Sequence, residues 1–382
     1  MSRSAMSERS ERNMDTAEHL AQAGAERQRG AGMSERSERI MDAHDGVGNA
    51  ENTVVAGVDL GDDQLAATVR DGLEQVEKLL VDELSDGAEF LQEAALHLAK
   101  AGGKRFRPLF TILTGQLGPR PADPDLITAG TVVELVHLAT LYHDDVMDEA
   151  PMRRGAPSVN SRWGNNIAIL AGDYLFAHAS RLTSTLGPDA VRIIAETFAE
   201  LVTGQMRETM GAREAQDPVE HYLRVVWEKT GSLIAAAGRF GGTFSGADPE
   251  HVERLARLGD AVGTAFQISD DIIDISSASE QSGKTPGTDL REGVHTLPVL
   301  YALHEEGAEG DRLRKLLARP LETDDEVAEA LDLLSRSRGM VLAKEKLQGY
   351  ADLAHTELAA LPGGPANDAL ERLVRYTIER VG

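Results

Sequence analysis

The sequence predicts an all-α fold, a single helical bundle around a central cavity, and three observations carry that prediction. Apolar residues recur at helical spacing almost throughout residues 56–382. No segment shows a convincing alternation of apolar and polar residues that would mark a strand. Two aspartate clusters of identical spacing, Asp144-Asp145-Val146-Met147-Asp148 and Asp270-Asp271-Ile272-Ile273-Asp274, each lie at the end of an apolar run. Bundles build metal sites from carboxylates that project inward from facing helices, so the clusters agree with the helical pattern.

Residues 1–55 behave differently from the remainder. They contain Met6-Ser7-Glu8-Arg9-Ser10-Glu11-Arg12 and its repeat Met33-Ser34-Glu35-Arg36-Ser37-Glu38-Arg39, with no aromatic residue before Phe90. So polar an arm cannot bury enough apolar surface to offset its ordering entropy, and disorder is expected there. Leu65 to Val81 then forms an amphipathic helix, Ala88 to Ala101 follows it, and Pro108 opens another. Thr128 to His143 carries Val132, Val133, Val136, Leu138 and Leu141 with no proline and one glycine, the pattern of a mostly buried helix. Trp163 to Leu186, Pro188 to Arg213 and Pro218 to Phe244 continue the helical pattern. His251 to Ser269 repeats the buried pattern before the second cluster, through Val252, Leu255, Leu258, Val262, Phe266 and Ile268. His295 to Glu306, Asp325 to Ser337, Val341 to Leu361 and Asn367 to Arg380 complete the bundle. The glycines from Gly238 to Gly242 follow a helix rather than a strand, which argues against a nucleotide-binding loop.

On a helix, positions i and i+4 share a face and i+1 lies about 100° round. Each cluster therefore projects two carboxylates together, Asp144 with Asp148 and Asp270 with Asp274, and sets Asp145 or Asp271 beside them. That arrangement suits Mg²⁺, which takes one or two protein carboxylates per ion and fills its octahedron with water and substrate phosphate oxygens. Two such clusters are not expected to be buried without cations. The neighbouring residues are the cations that phosphate chemistry needs. His137 lies two helical turns before Asp144 on nearly the same face, and Pro151 predicts a helix stop near Ala150. Arg153-Arg154-Gly155 follows, and guanidinium groups clamp a diphosphate bidentately. Upstream, Gly102-Gly103-Lys104-Arg105-Phe106-Arg107-Pro108 joins a flexible backbone to three cations in four residues.

These motifs resemble the trans-type polyprenyl diphosphate synthases, which condense isopentenyl diphosphate with an allylic diphosphate, and the resemblance runs from about Val58 to the C-terminus. It implies the helical bundle of the isoprenoid synthase type, a homodimer, and dependence on Mg²⁺, for which Mn²⁺ can substitute. By the same resemblance Lys104, Arg107, His137 and Arg154 match the isopentenyl diphosphate site, and Arg153 matches the arginine that holds the allylic diphosphate. Asp144, Asp148 and Asp270 match metal-bridging carboxylates, with Asp145, Asp271 and Asp274 in support. Lys229-Thr230 matches a helical pair beside the allylic leaving group, Gln267 the glutamine before the second cluster, and Lys284 a flap lysine. Many relatives read Glu-Gly-Lys before Thr-Leu-Pro, whereas this chain has Glu292-Gly293-Val294-His295-Thr296-Leu297-Pro298, which leaves open whether His295 replaces one phosphate contact. The chemistry implied is departure of diphosphate to metal and to Arg153, Lys229 and Lys284, then attack by the alkene of the second substrate in a dry pocket. Ala139 and Thr140, one turn before Asp144, are not aromatic, which predicts an open tunnel and a medium or long product such as a quinone side chain, menaquinone's among them. Short-chain synthesis, terpene cyclisation and a non-catalytic subunit of a heteromeric synthase are the alternatives.

Composition bounds the partners. With 382 residues and 41% hydrophobic content the chain fills a sizeable core, and no run is expected to be long enough to span a bilayer. The absence of cysteine and of a secretory signal fits a cytoplasmic protein. A formal charge of −24 argues against nucleic acid and anionic membranes, and it also repels a diphosphate, so cations at the site must overcome the field of the whole chain.

Overall fold

In a computed structural model of the chain, residues 52–85, 89–213, 215–276 and 286–380 are described. A short hairpin comes first, β1 (Val54–Val55) against β2 (Val58–Asp59), antiparallel. Val55, Val58 and Leu60 are buried in the core, so the folded body begins before residue 56, the boundary expected from the sequence. The apolar pair Val54-Val55 is the reason. Repeats at 6–12 and 33–39, with most of the expected arm, lie outside the described residues.

Helices α1 (Asp63–Leu84), α2 (Glu89–Lys100), α3 (Phe106–Gly115) and α4 (Asp125–Met147) follow. A second hairpin, β3 (Met152–Arg153) with β4 (Ala156–Pro157), leads into the short α5 (Val159–Trp163). Gly164, at φ 85°, separates α5 from α6 (Asn165–Thr185), so the expected helix from Trp163 starts after a break. Next come α7 (Pro188–Met210), α8 (Pro218–Val226), a π-helical turn (Trp227–Gly231), α9 (Ser232–Ser245) and α10 (Pro249–Ser276). The C-terminal part holds α11 (Thr288–Glu292), α12 (Leu297–Ala302), α13 (Ala308–Leu316), α14 (Asp324–Ser335), α15 (Arg338–Ala359) and α16 (Pro365–Glu379). The fold is all-α, as the sequence predicts.

α4 and α10 are long helices that run through the core. Around α4 the core gathers α1, α3, α6 and α9; the second half of α10 packs with α8 and α12 to α15 in an adjoining core. α4 is long and apolar enough to cross a membrane, contrary to the sequence expectation, and it is instead a bundle core helix with 78% of its apolar window buried. The glycine-rich stretch lies inside α9. A Cβ on Gly238 would stand 2.4 Å from the Leu255 carbonyl oxygen of α10, and one on Gly241 would stand 2.5 Å from the Thr111 carbonyl oxygen of α3. Those glycines serve close helix packing and not phosphate binding.

Candidate active site

The first aspartate cluster ends α4 beside two neighbouring cavities. Asp144 borders an apolar cavity of about 400 Å³ walled by Thr140, Phe176, Phe198, Leu201 and Val202. Asp148 borders a wider one of about 680 Å³ that runs past Glu208 and His221 to Arg291 and His295. Lys229 and Gln205 line both, so the two cavities abut at these side chains. The Lys229 ammonium pairs with Glu208 of α7. Burial, followed by the charge of Asp144, pushes the Asp148 carboxyl up to about 6, against the pull of Lys229. Burial also raises Asp144, opposed by Lys229 and Arg153. Two carboxylates one turn apart that both resist ionisation form a donor pair that a divalent cation would relieve.

Asp145 is placed differently. It is fully buried, accepts from Arg153 Nε at 2.7 Å and forms an ion pair with Nη2 at 2.6 Å, with both side chains excluded from solvent. The pair ties α4 to the β3–β4 hairpin. Asp145, expected only in support of the metal-bridging carboxylates, is thus engaged by Arg153, and Arg153 is turned onto a carboxylate of its own chain. Arg154, at φ 51°, donates to the carbonyls of Leu98 (3.1 Å) and Gly102 (2.5 Å), so it braces the Gly102-Gly103 loop. Arg105, the middle cation of the basic segment, is also buried; it bonds Glu77 at 2.7 Å and Glu134 at 2.9 Å and anchors the loop from inside. Lys104 and Arg107 stand half-buried at the start of α3, and His137 is buried in α4, which packs on α3.

The second cluster is sealed by protein groups. Asp270, Asp271 and Asp274 are at most 2% exposed. Asp270 pairs with Arg380, just past α16, whose guanidinium lies 4.6 Å from the centre of the Phe266 ring. Asp271 accepts from the Tyr222 hydroxyl and from Nε2 of Gln267 at 3.1 Å, and Asp274 accepts from the Asp289 backbone at 3.2 Å. The cations expected beside the buried clusters are thus partly the chain's own, Arg153 and Arg380. Among the described residues no three acidic or histidine side chains stand together as a ready metal cage. Asp144 and Asp148 fit a metal as they stand, whereas Asp270 is occupied by Arg380.

Thr230 follows Lys229 in the π turn, half-buried. Gln267 gives its amide to Asp271. His295 lines the wider cavity with Nε2 bonded to the Leu317 carbonyl at 3.1 Å, and Lys284 lies outside the described residues. Gln205, Glu208, Tyr222 and Arg380 were not found by sequence reasoning. Gln205 and Glu208, three apart on a helix with apolar Leu201 and Val202 one turn earlier, carried a readable polar signal; Arg380 carried none.

Residues 88–334 match the family model described as polyprenyl synthetase. The chain is 63% identical to nonaprenyl diphosphate synthase of Mycobacterium tuberculosis over 330 residues, covering 86% of this chain and 98% of that one. It is 50% identical to dimethylallyltranstransferase of the same organism, over 85% of this chain and 99% of the other. A crystal structure of geranylgeranyl pyrophosphate synthase from Corynebacterium glutamicum, complexed with calcium and isoprenyl diphosphate, superposes with a TM-score of 0.78 at 53% identity, covering 84% and 99% of the two chains. This chain belongs to the polyprenyl synthetase family and is an enzyme that transfers prenyl groups.

Proposed function

We propose that the enzyme condenses isopentenyl diphosphate with an allylic diphosphate to give a medium or long all-trans polyprenyl diphosphate, destined for a quinone side chain. The observation that carries this reading is that Lys229 lines both cavities, with carboxylates on one side and an apolar chamber on the other. Lys229, released from Glu208, and Arg153, released from Asp145, would face the leaving diphosphate near Asp144 and Asp148, the carboxylates whose charge both cations already favour. Lys104, Arg107, His137 and Arg154 hold the second diphosphate. Mg²⁺, or Mn²⁺ in its place, would be held by Asp144, Asp148 and Asp270 and would supply charge neutralisation at the departing diphosphate. Leu201 and Phe198 keep water from the reacting carbons, and the released diphosphate accepts the final proton.

Product length follows from the chamber's shape. The Phe176 and Phe198 rings, 4.3 Å apart, narrow it, and a short product is the second reading if they close it. Its wall at Ile169, Val202 and Met206 is exposed, which supports a tail that continues past the rings along α6 and α7. The exposed stripe Val202, Met206 and Met210, at intervals of four on α7, supports a homodimer that covers it. Incubating pure enzyme with Mg²⁺, isopentenyl diphosphate and an allylic primer should give products of roughly six to ten isoprene units. Only farnesyl or geranylgeranyl diphosphate would establish the second reading, and cyclised or no product would refute both.

A further inference from the structure

We propose that the hydrogen bond from Trp227 to Asp260, on the side of the π turn away from the cavities, positions Lys229 for the allylic diphosphate; the inference rests on the role given to Lys229 above. Residues two apart in a helical turn point to nearly opposite sides. The turn that aims Lys229 at Glu208 and the cavities therefore sends Trp227 to the rear. There its indole Nε1 donates to Asp260 Oδ1 at 2.8 Å. Asp260 belongs to α10, the helix that carries the second aspartate cluster ten residues later, about 15 Å along the axis.

A π turn is uncommon and persists only where its surroundings hold it. Each of three successive side chains in this one is anchored elsewhere. Glu228, fully buried, accepts from Arg207 of α7 at 2.8 Å and Arg224 of α8 at 2.7 Å. Lys229 is tied to α7 through Glu208. Only Trp227 of these three reaches α10 by a hydrogen bond among the contacts described. Glycines bring the backbones together there, since a Cβ on Gly263 would stand 2.8 Å from Gly231 Cα. Once Lys229 exchanges Glu208 for substrate, the Glu228 anchor keeps the turn on α7 and α8. The Trp227 anchor sets its height on α10, and so the distance between Lys229 and Asp270.

The test separates positioning from stability. Trp227→Phe removes the donor and keeps an aromatic ring; Asp260→Leu removes the acceptor; Asp260→Asn keeps an oxygen to accept the bond. In the full chain with Mg²⁺, Trp227→Phe and Asp260→Leu should each raise KM for the allylic diphosphate and lower kcat, with a combined loss of roughly tenfold in kcat/KM. KM for isopentenyl diphosphate should stay within about twofold, Asp260→Asn should stay near wild type, and the double variant should be no worse than either single one. Equal rises in both KM values, or none, would overturn the inference. Lys229→Ala run in parallel tells two failures apart. If it leaves the allylic KM and kcat unmoved, the role of Lys229 falls and this inference with it; if it moves them and Trp227→Phe does not, this inference falls alone.

Discussion

Asp144 and Asp270 hold the same place in two identical motifs and are satisfied in opposite ways. Asp144 faces a cavity and carries a raised pKa, whereas Asp270 is locked to Arg380. Either change to Ala should abolish condensation, but their stabilities should diverge. Asp144→Ala removes a carboxylate that resists ionisation, so its thermal midpoint in chelator should hold or rise. Asp270→Ala leaves the Arg380 guanidinium without its partner and should cost roughly 1–3 kcal/mol. A variant with all six aspartates replaced that kept a tenth of wild-type turnover would end the metal reading. A pH profile adds a second check. Burial pushes Asp148 and Asp260 from 3.8 up to about 6, so the folded protein holds these protons where the unfolded chain has released them. The stability they contribute is therefore complete below about 4 and declines as pH rises to about 6. Glu357, lowered by its bonds to Arg257 and also by Arg254, against the opposing effect of burial, acts the other way and loses its contribution as pH falls below about 4.5. Melting of the metal-free enzyme should peak near pH 5, and the Asp148→Asn, Asp260→Asn double variant should flatten the fall between pH 5 and 7. A peak at pH 7 or above in chelator would contradict these shifts.

Among the elements, α4 gives the sharpest correction. The sequence predicts that Ala139 and Thr140 leave a tunnel open below Asp144; in the structure Thr140 borders the apolar chamber while Ala139 is fully buried in packed core. Thr140→Phe should shorten the product towards farnesyl or geranylgeranyl diphosphate with the fold kept. Ala139→Phe should instead lower stability by about 1–3 kcal/mol through overpacking. Product sizing and melting of both variants decide, and a shortened product from Ala139→Phe alone would restore the original reading. The helices themselves were legible because α4 and α10 carry long apolar periodicity, and the spacing of aspartates fixed which faces they share. Register defects were not. Nothing in the composition of Pro218 to Phe244 marks the switch to i→i+5 bonding at Trp227, and Gly164 ends α5 by its backbone angle inside a segment that reads as continuous helix. Nor does sequence spacing say which arginine meets which aspartate, since Arg380 and Asp270 lie 110 residues apart and meet only through packing.

At the scale of the whole molecule, the two ends of the described chain converge on one helix. Val55, Val58 and Leu60 join the core, β2 packs on α16, and Arg372 of α16 bonds Asp59 at 3.1 Å. Deleting residues 1–50 should therefore leave condensation and melting unchanged, while deletion through residue 60 should lower the melting temperature and weaken the hold of α16. A fall in either property with the shorter deletion would show that the arm contributes to the fold. α16 ends at the arginine that caps the second cluster, so its seating matters beyond its own packing. This carries a practical consequence for anyone handling the protein. An affinity tag or surface-immobilising linker attached after Gly382 begins only two residues from Arg380, and tension there would pull on the capping side chain of Asp270. Fusions belong at the opposite terminus.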